Sequence, residues 1–158
     1  MRRALSVAAA AAAVVLVAGF VAQARTVHGS SHGTGRTTVV HVIEHAKTDT
    51  VIDTGKPGDT TGDLLTWHNK VYDETDTTIA GHDQGECTRI SPKQGTWECT
   101  WITWVTGGAI TVEGPYYDTK DSTLAITGGT GAYKDATGEM QLVSENGGTE
   151  YDFIFNLS

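Results

Sequence analysis

Short runs of alternating apolar and polar residues recur along this chain from residue 39 to its last residues. They cover 39–46, 63–69, 85–90, 96–105, 109–113, 122–127, 138–144 and 150–157, and each is closed by a Gly, Asp, Asn or Pro signal. Alternation of period two is the pattern of a strand with one face inward. No window beyond the N-terminal segment sustains a helical period. Threonine occurs 25 times and glycine 19 times against three prolines, a composition for strands and tight turns rather than for disorder. Many short strands with polar turns predict an all-β, antiparallel sandwich or barrel. Eight strands suit a closed barrel that holds one small ligand.

The first 24 residues stand apart. Arg2 and Arg3 precede an Ala/Val/Leu run, and Ala22-Gln23-Ala24 supplies a small-x-small cleavage site. This reads as a secretory signal peptide, with an uncleaved anchor helix as the alternative. Residues 25–38 are rich in Ser, Gly and His and read as a flexible leader, which leaves 39–158 as one barrel domain. Without Arg2 and Arg3 the net charge moves from −8 to −10. That balance argues against nucleic acid and, once the signal is gone, against a membrane surface as partners. The expected localisation is extracellular.

Two cysteines remain, Cys87 and Cys99. They are equidistant from Lys93 in the turn Ser91-Pro92-Lys93-Gln94-Gly95. A hairpin centred there sets them opposite each other, so an exported protein is expected to pair them. The other reading is a free thiol at Cys87. In 96–105 one face carries Trp97, Cys99, Trp101, Thr103 and Val105, and the other carries Glu98, Thr100, Ile102 and Trp104. Apolar groups on the outward face suggest oligomer contacts, in a dimer or trimer.

Six histidines invite a metal reading. His28/His32 and His41/His45 are each four apart, but neither region reads as helix. On a strand such positions lie about 13 Å apart, too far for one ion. No metal site is expected. The stretch Asp73-Glu74-Thr75-Asp76 lacks the alternating ligands and Gly of a calcium loop and reads as solvated. Thr127-Gly128-Gly129-Thr130-Gly131 resembles a phosphate loop only in composition. Glu44 is sharper. It shares a strand face with Val40 and Val42, where a carboxylate is rare unless partnered or functional. Either it reaches water at a barrel rim, or it places a charge or a base inside the barrel.

Several strings then resemble one family, in order, over 39–157. GDLLTWHNKVY at 62–72 is similar to the GDLVPFTNKLY-type segment of plant allene oxide cyclases. QGEC at 84–87 resembles their AGLC, and ITVEGPY at 110–116 their SVQGPY. STLAITGGTG at 122–131 resembles their DTYLAVTGGSG. Dirigent proteins and some bacterial cyclases resemble the same barrel. The resemblance implies an eight-stranded antiparallel barrel, trimeric in the plant enzymes, with an apolar cavity. It also implies a cyclisation that needs no cofactor. Carried over by motif, the cavity residues are Glu44, Asn69, Cys87 and Tyr116. Cys99 has no counterpart in the pattern, and a bridge to it would remove the free thiol.

The expected function is therefore an isomerase or cyclase acting on a small, apolar, reactive molecule. Glu44, Asn69 and Tyr116 would be its catalytic residues. Glu44 would stabilise positive charge or hold a water, and Asn69 and Tyr116 would bond the substrate oxygen. Trp67, Trp97 and Trp101 would wall the ligand site. The alternatives are a carrier of an apolar ligand or dirigent-like scaffold, and a barrel simply filled by its own side chains.

Overall fold

The computed structural model of the protein describes residues 38–158, so the segment read as a signal peptide and most of the segment read as a leader lie outside the described residues. Nine strands follow in order: β1 (Thr38–His45), β2 (Thr50–Ile52), β3 (Leu64–Asp73), β4 (Ile79–Ser91), β5 (Thr96–Val105), β6 (Gly108–Tyr117), β7 (Ser122–Gly131), β8 (Gly138–Glu145) and β9 (Glu150–Leu157). One 3-10 turn, Pro92–Gln94, joins β4 to β5. Each of β3 to β9 pairs antiparallel with its chain neighbour. β1 pairs with β9 along its whole length and with β3 through Val42–Asp73 to His45–Lys70, which closes the sheet. The result is an eight-stranded antiparallel barrel, as the spacing of the runs predicts.

β2 is the element the alternation does not announce. It pairs with residues 64–66 of β3, while β1 takes 70–73 of the same edge. β1 and β2 are thus two pieces of one path along β3, broken at 46–49. The break would leave backbone donors without ladder partners. Side chains replace the ladder. The Asn69 Oδ1 accepts from the backbone N–H groups of Lys47 and Thr48, at 3.0 and 2.9 Å. The Thr48 hydroxyl accepts from the His68 N–H and donates to the His68 carbonyl, as a strand residue would.

The interior follows the pleat. On β5 burial alternates from Trp97 to Thr103, so Trp97, Cys99, Trp101 and Thr103 point inward. Val42, Val71, Ile110, Val112, Leu124, Met140 and Phe155 are all buried and fill one half of the barrel. Cys87 lies opposite Cys99 in the β4–β5 register and is bonded to it, so no free cysteine exists among the described residues. The sulfurs lie inside the barrel, where they replace two thiols in the packing. Gly85, opposite Trp101, is required there. A Cβ at that position would stand 2.2 Å from the Trp101 Cβ, so the absent side chain is the room in which the indole lies.

Outward-facing apolar groups are scattered. Val39, Val51, Ile52, Ile79 and Ile90 are exposed. Trp104, outward on β5, is covered within the chain by the stacked ring of His82, 4.7 Å away. That contact removes part of the apolar face that suggested an oligomer.

Candidate functional site

The half of the barrel not filled by aliphatic core holds a pocket. Glu44, Asp49, Leu65, Trp67, Trp101, Tyr116, Leu142, Tyr151, Phe153 and the Cys87–Cys99 bridge line it. The free space is about 40 Å³. The walls are aromatic and aliphatic, and the polar atoms gather on two sides.

On one side stands Glu44. It is 4% exposed, so it faces into the barrel rather than reaching water at a rim. Its Oε1 accepts from the Asn69 Nδ2 at 2.7 Å. The same Nδ2 donates to the Asp49 carboxylate at 2.7 Å. The Asn69 Oδ1 also takes the Thr48 hydroxyl. Asn69 is therefore fully engaged and is not among the lining residues. The expected hydrogen bond from Asn69 to a substrate oxygen has no free donor here. The amide instead holds Glu44 in place and seals the β1–β2 break.

A second buried carboxyl lies behind Glu44. Asp83, on β4 opposite Asn69 and Thr103, has no exposed surface. Its Oδ2 accepts from the Trp67 Nε1 at 2.7 Å, and its Oδ1 has no protein partner. Burial drives both acids toward the neutral form. Glu44 is raised well above the ordinary carboxylate range, by desolvation first and by the Asp83 charge second, against the Asn69 hydrogen bond. Desolvation pushes Asp83 up to about 7, opposed by the Trp67 hydrogen bond. Like charges this close resist joint ionisation, so the two titrate as a pair.

On the other side the Tyr116 and Tyr151 hydroxyls meet at 3.1 Å. Burial raises both phenols, so both keep their protons. The indoles of Trp67 and Trp101 pack edge to face at 5.7 Å and form one wall. Trp97 points to the same side of the sheet but lies outside the lining. Its Nε1 donates to Asp118 at 2.8 Å and the Arg89 guanidinium sits 4.3 Å over its ring. Arg89, 6% exposed, also forks onto Asp59 at 2.7 and 2.6 Å. Trp97 therefore belongs to a closing cluster, because its indole N–H and ring face are both taken.

The structure thus brings Glu44, Tyr116, Trp67 and Trp101 to one pocket, puts Asn69 behind it and Trp97 beyond it. The sequence reading does not name three residues around this site: Asp49, in the break between β1 and β2, Asp83, and Tyr151, which lies within the run 150–157. Extending the third run back from Gly85 would have put Asp83 on the face of Cys87, and Tyr151 alternates with Phe153 and Phe155. His41 and His45 do not converge with each other; His41 lies 3.3 Å from Asp152. Asp73 organises its own turn, accepting from Thr75, Thr77 and Thr78.

A closed antiparallel barrel with a carboxyl set into an apolar pocket defines a class of small-molecule barrel proteins. Within that class, the sequence profile of allene oxide cyclases matches residues 38–146, and the chain belongs to the allene oxide cyclase family. Among solved structures it is similar to a pyocyanin demethylase, at 23% identity and a TM-score of 0.65, covering 77% of this chain and 100% of that one. It is similar to a pterocarpan synthase dirigent protein, at 19% and 0.62, covering 75% and 83%. A Diels-Alderase from Streptomyces koyangensis shares 16% with a TM-score of 0.63, covering 77% and 63%. At these identities the likeness is one of fold.

Proposed function

We propose that this protein is a cofactor-independent isomerase or cyclase that works as an acid on a small, apolar, oxygen-bearing molecule held in the barrel. The observation that carries the reading is a buried carboxyl, Glu44, that opens into an apolar pocket, where desolvation favours its protonated form. Its Oε1 is occupied by the Asn69 amide, which leaves Oε2 to carry the proton toward the ligand. Family membership and the cyclising catalyst among the structural neighbours support the same reaction class. The neighbouring demethylase and dirigent protein mean that the fold alone does not choose the chemistry.

In this reading a substrate oxygen, in an epoxide or carbonyl, takes a hydrogen bond from Glu44 Oε2 and from the Tyr116 hydroxyl. As the carbon–oxygen bond loosens, the Glu44 proton moves to that oxygen. The carboxylate left behind stabilises the carbon cation that forms. Ring closure consumes the cation and the proton returns to Glu44, so the product is an isomer. The indoles and Phe153 hold the chain folded and keep out water that would otherwise trap the cation. We also read the protein as exported, on the signal pattern at 1–24 and the disulfide, and as a candidate homo-oligomer through its exposed apolar residues.

A carrier or a filled structural barrel is the second reading, favoured by the small free volume. A ligand of ordinary size needs several hundred cubic ångströms, so lining side chains must move to admit it. One experiment separates the readings. An allene oxide released in situ partitions between ring closure and hydrolysis. Wild-type protein is expected to shift that ratio toward the ring, and Glu44→Gln, which keeps shape and removes the acid, to lower the effect by about 10²-fold or more. Partitioning identical to buffer in the wild type, with ligand still quenching Trp67 and Trp101 fluorescence, would identify a carrier instead.

A further inference from the structure

We propose that His45, Asp76 and Glu150 form a zinc site on the outside of the barrel, separate from the pocket. The three residues come from three elements. His45 ends β1, Asp76 stands in the turn between β3 and β4, and Glu150 opens β9 directly opposite His45 in the register. Their ligand atoms lie within 4.8 Å of one another. The His45 Nε2 is 2.7 Å from the Asp76 Oδ1 and 3.9 Å from the Glu150 Oε1. The first contact alone would satisfy a hydrogen bond. The second is too long for one, yet it aims a further carboxylate at the same nitrogen.

Each ligand is held from behind. The Tyr72 ring stacks on the His45 imidazole at 4.2 Å and fixes its plane. Asn146 donates to the Glu150 Oε2, which leaves Oε1 facing the histidine. Asp76 sits in a left-handed conformation, φ 54°, and its N–H is bonded to the Asp73 carbonyl at 2.8 Å. The side chains are 21%, 37% and 23% exposed, so an ion can reach them.

The donor set chooses the metal. One imidazole nitrogen and two carboxylate oxygens, completed by water, is a ligand set that zinc accepts. Calcium wants six to eight oxygens and finds two carboxylates here. Zinc bonds of about 2.0–2.2 Å in a tetrahedron set neighbouring ligand atoms a little over 3 Å apart. The His45–Asp76 pair would open slightly and the Glu150 oxygen would close in, all within side-chain reach. A bound ion would tie the β3–β4 turn and the start of β9 to the end of β1. That is the seam where the barrel closes, one residue along from Glu44.

The test uses the full chain, stripped with EDTA and titrated with zinc chloride by calorimetry and thermal melting. One zinc per chain is expected at this site. The melting temperature should rise by roughly 8 °C at a hundred times the dissociation constant. His45→Ala and Glu150→Gln should each weaken binding at least tenfold and remove the melting shift, while His82→Ala leaves both unchanged. Should His45→Ala not fold, Asp76→Asn serves beside Glu150→Gln. The proposal is overturned if zinc neither binds nor stabilises. It is equally overturned if the His45 and Glu150 variants bind as the wild type does, as they would if His28 and His32 held the ion. An equal melting shift with calcium chloride would overturn the assignment to zinc.

Discussion

Moving from pH 8 to pH 5 is expected to stabilise this barrel, by about 3 kcal/mol, where many proteins are unchanged or weakened. The cause is Asp83, with Glu44 acting in the same direction. An unfolded aspartate ionises near 3.9, whereas burial pushes Asp83 up to about 7. The folded state therefore binds more protons than the unfolded state across that window. A raised carboxyl contributes stability that is fully present below the unfolded pKa and is lost as pH rises through the folded one. Each pH unit across the window is worth about 1.4 kcal/mol, and about two of them lie between pH 5 and the Asp83 pKa. Further acidification reverses the trend. The Thr77 N–H and the Thr75 hydroxyl hold Asp73 down to about 2, so its contribution is present above the unfolded pKa and is lost as pH falls toward 2. Urea midpoints at pH 8, 6.5, 5 and 3 should pass through a maximum near pH 5. Asp83→Asn, which still accepts from the Trp67 indole, should raise the pH 8 value and flatten the slope. A midpoint that climbs steadily from pH 5 to pH 8 would refute the assignment of two buried neutral acids.

The second large effect belongs to Asn69. Replacing it by Ala removes the bonds to Glu44, Asp49, Lys47 and Thr48 together. Two backbone N–H groups and two carboxylates then lose their partner at a part-buried break in the sheet. At about 1–3 kcal/mol for each unsatisfied buried group, part of it recovered by water, the expected loss is about 3–5 kcal/mol in urea unfolding. A loss below about 1 kcal/mol would mean that the β1–β2 path closes without the amide. Activity would fall as well, but through the position of Glu44, so Asn69 is a positioning residue.

The legible part of this fold was its alternation. Residues 96–105 and 150–157 stand in the structure as the runs stood in the sequence, because large inward aromatics make the period-two signal unmistakable. Four strands, β3, β4, β6 and β7, run three or more residues beyond their alternating runs. β4 reaches back to Ile79 through Gly81, His82 and Asp83, and small or charged residues on a buried face do not look like a strand. β2 was invisible because three exposed residues with one partner strand carry no burial pattern. Glu44 can be singled out since a carboxylate on the strand face of Val40 and Val42 violates the pattern, and the family strings point to the same residue. Asp83 lies before the start of the third run, and only closure of the barrel brings it near Glu44. The partners of Asn69 are likewise not legible locally. Its motif placed it in the cavity wall, but the gap it fills between β1 and β2 is set by pairing far along the chain.

The most direct test of the central claim is the ionisation of Glu44 itself. Protein carrying ¹³C at the glutamate side-chain carboxyls can be titrated by NMR from pH 3 to pH 9, with Glu44→Gln identifying the signal. Glu44 is predicted to titrate well above the ordinary carboxylate range, and its midpoint should fall in Asp83→Asn as the neighbouring charge is removed. A Glu44 that titrates at an ordinary value of about 4.3, indifferent to Asp83, would contradict the buried acid on which the proposed chemistry rests.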